Sequence, residues 1–343
     1  MPQTNLIASA HSDLITCASY DWYGLRLATC GLDQRVYTNG SSSNSGIKLA
    51  STWKAHDAPL THVCWAHPQF GQVIATAGID GLVKIWERST SQSTNGGWDE
   101  KAIFLDAAGS VRQIEFAPCS SGSASSSWLR LASVSTDGWL RVYECLDLGR
   151  MGDWALKEAV VLELNSTHGG WALSWCKDSS AEGGQLIAVV ASAAEGGSGN
   201  KSGSGGVKNE TPSTTTSTTI TTVSWAPSCG RSYHLIATGG RDGHVRIYKV
   251  FGPSWDEGEP EEEKNRYSST LVADFDDHAT IGGQKSSTTI GGQVSKVEWN
   301  VTGTILASTG SDGRVRLWKA ATGAGGGGGR VWRGVGSVGV EAK

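Results

Sequence analysis

Long apolar runs are missing from this 343-residue sequence. No stretch approaches the roughly 18 apolar residues of a membrane helix, and Leu186 to Ala191 is only long enough for a buried strand, so no membrane insertion is expected. Clustered Lys and Arg are also missing. The net charge is −4, and phosphate binding needs basic clusters, so no direct nucleic acid partner is expected. The seven Cys (Cys17, Cys30, Cys64, Cys119, Cys145, Cys176 and Cys229) include no C-x-x-C pair. Several fall on or beside predicted strands, where free Cys packs as a small hydrophobe, and a reducing compartment is the simplest reading. The start, MPQTNLIASAH, has neither the basic residues nor the apolar core of a secretory signal. The sequons at Asn165 and Asn300 are then chance matches.

Catalytic and cofactor signatures fail on context. Gly334, Gly336 and Gly339 spell G-x-G-x-x-G, but a helix must follow to aim its N-terminus at a pyrophosphate and only four residues remain. Lys201-Ser202 sits in a Gly-rich stretch, yet Glu195 and Asn200 stand where a phosphate loop needs glycine. His62, Cys64 and His67 lie close together without the second ligand cluster of a zinc site, and no H-E-x-x-H occurs. No catalytic residue, cofactor or metal is assigned.

What the sequence does have is a repeat. Val294 to Lys319, VSKVEWNVTGTILASTGSDGRVRLWK, predicts three strands in succession. Val297 and Trp299 fall on one face of the first strand, with Lys296 and Glu298 on the other. After a turn at Asn300 to Gly303, Thr304 to Ser308 is apolar on both faces, as in a strand packed between sheets. Asp312-Gly313 predicts a tight hairpin, because Asp accepts backbone N–H bonds locally and Gly tolerates positive φ. Val315 and Leu317 carry the third strand to Trp318.

One such piece cannot bury its own faces, so it should recur. Six segments carry an aromatic on a first strand: Tyr20, Trp65, Phe116, Trp175, Trp225 and Trp299. In four of them an Asp-Gly turn is followed six residues after the Asp by an aromatic: Asp80 to Trp86, Asp137 to Tyr143, Asp242 to Tyr248 and Asp312 to Trp318. A fifth, Asp33-Gln34, has Asn39 where the aromatic belongs. The first-strand aromatics are 45, 51, 59, 50 and 74 residues apart. That is on or above the roughly 40–45 residues of a four-stranded propeller blade. The expectation is one all-β domain, a six-bladed β-propeller, with blades near 11–54, 55–106, 107–158, 159–219, 220–275 and 276–335 and loops at 195–212, 253–266, 279–292 and 323–329.

The blades are unequal. Only ten residues precede the first, and Asn5, Leu6, Ile7 and Ala8 are the only candidates for a closing strand, so an open edge inviting a partner strand is expected there. Blade four, opening with Trp154 to Leu164, runs through Trp171 to Cys176 and Leu186 to Ala191 and then loses the pattern. Either Thr214 to Thr219 supplies a poor strand or the blade is incomplete. The acidic run Asp256 to Glu263 reads as a solvated loop. Val331 and Trp332 could form the outer strand of blade six.

The Asp-turn, aromatic-ended copies look like WD repeats. His11-Ser-Asp-Leu-Ile15, Leu27-Ala-Thr-Cys30 and Asp33-Gln34 resemble the opening of the Sec-thirteen and Seh nucleoporin group, and Trp65-Ala-His-Pro-Gln-Phe-Gly-Gln-Val73 resembles its second blade. Gly230-Arg-Ser-Tyr-His234 and Trp299-Asn-Val-Thr-Gly-Thr304 lean toward the Seh-type branch. In WD-repeat proteins a His before the first strand, a Ser or Thr on the second, the turn Asp and the strand-end Trp form a buried hydrogen-bonded chain, and His56, Thr76, Asp80 and Trp86 match it. A nucleophile triad of the same residue types is the competing reading; the recurrence of the Asp where no His or Ser accompanies it favours a structural role. The resemblance implies a non-catalytic scaffold, an open propeller into which an α-solenoid nucleoporin inserts a blade. Its setting would be the Y-shaped coat subcomplex of the nuclear pore, with its other nucleoporins, and also a TOR-regulating vacuolar or lysosomal coat. A vesicle-coat cage subunit of the Sec-thirteen type is the alternative.

Overall fold

The computed structural model describes residues 11–42, 46–89, 97–119, 128–162, 170–177, 186–192, 219–252, 267–276, 292–322 and 330–339. Strands make up the regular structure there, apart from a short 3-10 turn at Pro68–Phe70. The first blade is β1 (Ile15–Tyr20), β2 (Arg26–Gly31), β3 (Arg35–Ser42) and β4 (Gly46–Lys54), and the second is β5 (Leu60–Trp65), β6 (Val73–Gly78), β7 (Val83–Arg88) and β8 (Trp98–Phe104). The third is β9 (Val111–Phe116), β10 (Arg130–Ser135), β11 (Trp139–Cys145) and β12 (Trp154–Val161). β13 (Gly170–Trp175) and β14 (Ile187–Ser192) form a two-stranded sheet. Two further four-stranded blades follow: β15 (Ile220–Trp225), β16 (His234–Gly240), β17 (His244–Phe251) and β18 (Ser268–Asp276), then β19 (Val294–Trp299), β20 (Ile305–Gly310), β21 (Arg314–Thr322) and β22 (Arg330–Gly339). Each four-stranded sheet keeps its strands in chain order, the pattern of antiparallel hairpins joined by short turns.

Two expectations change. Six blades were expected, the fourth either completed by a poor strand or left incomplete; the described residues hold five four-stranded blades, and of the fourth β13 and β14. The chain that would continue it, 193–218, lies outside the described residues, and with it all of Thr214 to Thr219 except Thr219 itself. Trp154 to Leu164 does not open the fourth blade. β12 closes the third instead, pairing with β11 so that Cys145 faces Trp154 and Trp139 faces Val161. The outer strand of a blade and the first strand of the next are consecutive in sequence, and the repeat period alone does not say to which blade a strand belongs. Val331 and Trp332 do lie on the outer strand of the last blade, with Ala320 opposite Trp332.

The chain divides into two compact units. One comprises Met1–Glu163, Trp171–Val189 and Ser224–His234, and the other Leu164–Gly170, Val190–Val223 and Leu235–Lys343. In the first unit a tryptophan cluster sits between blades one and two: Trp53 stacks on Trp98 at 5.1 Å, and Trp86 and Trp65 meet this pair edge-on. Val73, Ala75, Ile85, Val111, Ile114 and Leu131 form the core between blades two and three.

First strands bulge at one residue: Thr16, Thr61, Arg112 and Ser295 are each skipped in the pairing with the second strand. Where that residue is Thr, its hydroxyl donates to a carbonyl of the next first strand in the same unit. Thr16 reaches Leu60 at 2.8 Å and Thr61 reaches Val111 at 2.7 Å. In the second unit the Thr221 hydroxyl on β15 makes the corresponding bond, to the Val294 carbonyl at 2.5 Å. A bulge thus re-aims a side chain out of its own sheet, and the hydroxyl ties neighbouring blades.

The short fourth sheet is anchored differently. The Gln113 amide on β9 donates to the Leu173 carbonyl at 2.9 Å and accepts from the Leu173 N–H at 3.2 Å, so one side chain serves both backbone groups. Glu115 accepts from the Trp175 N–H at 3.0 Å, and its own carbonyl accepts from the Trp175 indole at 2.9 Å.

Candidate functional site

In every four-stranded blade the turn after the second strand carries an aspartate. The carboxylate accepts the N–H two residues on, at Arg35, Leu82, Trp139, His244 and Arg314, which fixes the hairpin. The following residue adopts positive φ: Gly81 at 78°, Gly138 at 88°, Gly243 at 79°, Gly313 at 71°, and Gln34 at 65° in blade one. The blades differ in what else holds the carboxylate.

In blade two the His56 Nδ1–H donates to Asp80 at 2.8 Å, Nε2 lies 2.9 Å from the Thr76 hydroxyl, and the Trp86 indole N–H donates to the same hydroxyl at 2.9 Å. A carboxylate only accepts, so Nδ1 carries the proton. Burial pushes the His56 imidazole below its usual range against the opposing pull of Asp80, so the ring is neutral and Nε2 accepts from Thr76. Blade one repeats the device. His11 Nδ1 is 3.0 Å from Asp33, Nε2 is 2.8 Å from the Thr29 hydroxyl, and the Tyr37 ring lies over the imidazole at 4.1 Å. Tyr37 thus does the packing expected six residues after the Asp, where Asn39 stands. The premise that the Asp elsewhere lacks a His is corrected by His11.

The premise that it lacks a hydroxyl is corrected in all five blades. Four residues before each turn Asp stands Thr29, Thr76, Ser133, Thr238 or Ser308, and all five are buried.

Blades three, five and six hold the Asp with an arginine four residues on. Arg141 reaches Asp137 at 2.7 Å, Arg246 reaches Asp242 at 2.7 Å and Arg316 reaches Asp312 at 2.6 Å. In blade three Ser135 also donates to Asp137, and the Ala108 N–H at 3.0 Å takes the place of the imidazole. Desolvation works to raise the Asp137 carboxyl, but the donors from Arg141, Ser135, Ala108 and Trp139 outweigh it and hold the group below its usual range. Tyr143 stacks on Phe104 at 4.1 Å and bonds Asp106 and Ser133; burial pushes its phenol well up. The Trp318 indole donates to Ser308 at 2.9 Å, and Tyr248 is half-buried on β17 opposite Leu271.

Thr76, His56 and Asp80 have the order of a nucleophile, base and orienter, but the Thr76 hydroxyl is wholly buried and already receives an indole proton. A nucleophile must meet its substrate, and this one faces only protein. The arrangement fixes a hairpin.

The exposed feature is the first strand. β1 is open to solvent along most of its length and β19 at three of its six residues, whereas β5, β9, β13 and β15 are largely covered. Around it Leu14 is 71 % exposed, Trp22 69 % and Tyr23 67 %, with Ile15, Tyr20 and Leu25 also exposed. Asn5, Leu6, Ile7 and Ala8, the expected open edge, lie outside the described residues.

Comparison with known proteins agrees with this construction. The WD domain, G-beta repeat family matches residues 47–87, 210–249 and 284–319. The nucleoporin SEH1 of Saccharomyces cerevisiae is 34 % identical over 349 residues, covering 91 % of this chain and 94 % of that protein. The nucleoporin seh1 of Schizosaccharomyces pombe is 34 % identical with 92 % of each chain covered, and the Homo sapiens nucleoporin SEH1 is 33 % identical over 92 % of this chain and 84 % of its own length. The chain belongs to the nucleoporin SEH1 family. It is an all-β WD40 β-propeller protein, and the nuclear pore complex is the localisation that membership in the SEH1 family gives it.

Proposed function

We propose that the chain is a single-domain, non-catalytic structural scaffold of the nuclear pore's Y-shaped coat subcomplex, an open propeller that receives a blade in trans from an α-solenoid nucleoporin. The observation that carries this reading is the exposure of β1. Its Thr16 hydroxyl and the Trp65 indole, which donates to the Ser19 carbonyl at 3.1 Å, tie it to blade two, while Leu14, Ile15 and Tyr20 remain exposed. An apolar, β-rich strand left in this state is a template for strand addition, with main-chain pairing for affinity and apolar side chains for area. Obligate interfaces of this kind exceed about 2,000 Å². The same contact would place the chain beside other nucleoporins of the Y-shaped subcomplex and, in a second role, among TOR-regulating coat subunits at the vacuole or lysosome.

Affinity purification of the tagged chain from its own cells, with mass spectrometry of stoichiometric partners, tests the reading. α-Solenoid nucleoporins are expected, and the double variant Ile15→Asp, Tyr20→Asp should lose them while the chain stays folded. Vesicle-coat cage proteins as the stoichiometric partners, or nucleoporin capture unchanged in the double variant, would overturn it.

A further inference from the structure

We propose that Cys17 and Cys30 are a redox-sensitive thiol pair that closes to a cross-strand disulfide when a hydroperoxide oxidises Cys17. The bulge at Thr16 leaves Cys17 directly opposite Cys30 across β1 and β2. Opposed residues in an antiparallel pair have Cα atoms about 4.5–5.5 Å apart. Disulfides span Cα separations of roughly 4.4–6.8 Å, so the backbone already has the required spacing. Two groups of the bulge aim the Cys30 sulfur at β1: the Thr16 hydroxyl lies 3.4 Å from it, and the Cys17 backbone N–H donates to it. The Cys17 sulfur is 3.7 Å from the Val63 carbonyl, and Val63 belongs to the same packed cluster as Cys30. Both sulfurs therefore occupy the space between β1, β2 and β5.

The two thiols are unequal in a useful way. Cys17 is half-buried on the exposed first strand, whereas Cys30 is buried and its thiol is pushed up to about 12, chiefly by desolvation. Cys17 is thus the thiol that meets an oxidant. Its thiolate attacks the O–O bond of the hydroperoxide; a sulfur–oxygen bond forms, and the alkoxide leaves and is protonated to the alcohol. The Cys30 sulfur then attacks the sulfenic sulfur, the S–S bond forms, the S–O bond breaks, and the departing hydroxide takes the Cys30 proton as water. Two thiols are oxidised to one disulfide, and the hydroperoxide is reduced to an alcohol and water.

The full chain treated with hydrogen peroxide, denatured and alkylated should show its seven thiols reduced to five, a linked Cys17–Cys30 peptide, and recovery of all seven with dithiothreitol. In the Cys30→Ser variant, peroxide should leave a sulfenic acid on Cys17 that dimedone traps. Cys17→Ser changes a half-buried position, so it remains informative if the buried Cys30→Ser fails to fold; it should keep all six of its thiols. Seven thiols surviving in the parent chain, Cys17 linked to a second copy, or a pair of thiols lost from Cys17→Ser would each overturn the proposal.

Discussion

Blades one and two grip their turn aspartates with imidazoles that arrive from before the first strand; blades three, five and six grip theirs with guanidinium groups four residues further along the same hairpin. Among the described residues no blade shows both devices. Tyr37 and Lys84 stand four residues after Asp33 and Asp80, where the other blades have Arg141, Arg246 and Arg316. Lys84 instead pairs with Glu100 at 2.8 Å. The imidazole links the turn to a buried hydroxyl and to the preceding chain, so it is a tertiary clamp. Arginine is a local clamp, always charged, that reaches the carboxylate from within the same hairpin.

The comparison is tested most severely in blade three, whose ion pair is the most deeply buried. Arg141→Met leaves the buried Asp137 without its charged donor, and the expected loss is about 3–5 kcal/mol in urea unfolding. The pair in blade six is more open: Arg316 and Asp312 retain 13 % and 27 % of their side-chain exposure. Arg316→Met should therefore cost no more than about 1 kcal/mol. Equal losses in the two variants would mean that burial does not grade the arginine clamps.

Next comes the clamp itself. His56→Ala should cost about 3 kcal/mol, because it opens a cavity, takes the imidazole donor from Asp80 and leaves the buried Thr76 hydroxyl proton without its acceptor, with only the Leu82 N–H and the Trp86 indole still bonded to the two groups. Adding Lys84→Arg to that variant gives blade two the residue pattern of the arginine blades, and should restore about 1 kcal/mol. No recovery in the double variant would show that the two devices are not interchangeable, and that the preceding chain in blades one and two supplies more than a donor.

Acidification should then separate the two kinds of blade. The folded His56 imidazole lies below its ordinary value of 6.5, so the unfolded chain binds more protons as pH falls and the contribution of blade two is lost from pH 6.5 downward, levelling off below the folded value. The Asp137 carboxyl is depressed below its ordinary 3.8, so blade three keeps its contribution until pH falls below that. Amide exchange at pH 5.5 should speed up in β6 and β7 relative to neutral pH, after correction for intrinsic rates, and not in β10 and β11. Uniform behaviour across both blades would break the distinction.

Much of this was legible in the sequence and some was not, for identifiable reasons. Alternation on the first strands, the Asp-Gly turns and the aromatic six residues on gave the blades, because each rests on local chemistry repeated at short range. The arginine at the fourth position was equally readable, as D-G-x-x-R in three hairpins, but alternation files it as one more outward polar residue. His11 was harder: it precedes Asp33 by 22 residues where His56 precedes Asp80 by 24, and blade one offers Tyr37 two positions before the expected aromatic. The assignment of β12 failed because chain order does not mark where one blade ends. The exposure of β1 has no signature in its own residues, since ITCASY would read the same in a covered strand.

The smallest effect concerns the turn that departs from the others. Gln34 holds φ at 65°, a left-handed conformation that the corresponding Gly81, Gly138, Gly243 and Gly313 adopt without a Cβ. Its carbonyl accepts from the Ala55 N–H at 3.0 Å and sits 3.5 Å from the His56 nitrogen, so the backbone here ties the first turn to the start of the second blade's clamp. Gln34→Gly keeps that carbonyl and removes a steric cost of about 1–2 kcal/mol. The greater freedom of glycine in the unfolded chain returns roughly 0.4–1 kcal/mol of it. A net gain of about 0.5–1 kcal/mol is expected, read as a higher urea midpoint with an unchanged slope. The reverse change, Gly313→Gln, should lose a similar amount, since no other atoms lie near that position to reject the side chain and backbone strain alone would act. A loss in Gln34→Gly would mean that the glutamine side chain, not its backbone, secures blade one, and the likeness between the five turns would then stop at the aspartate.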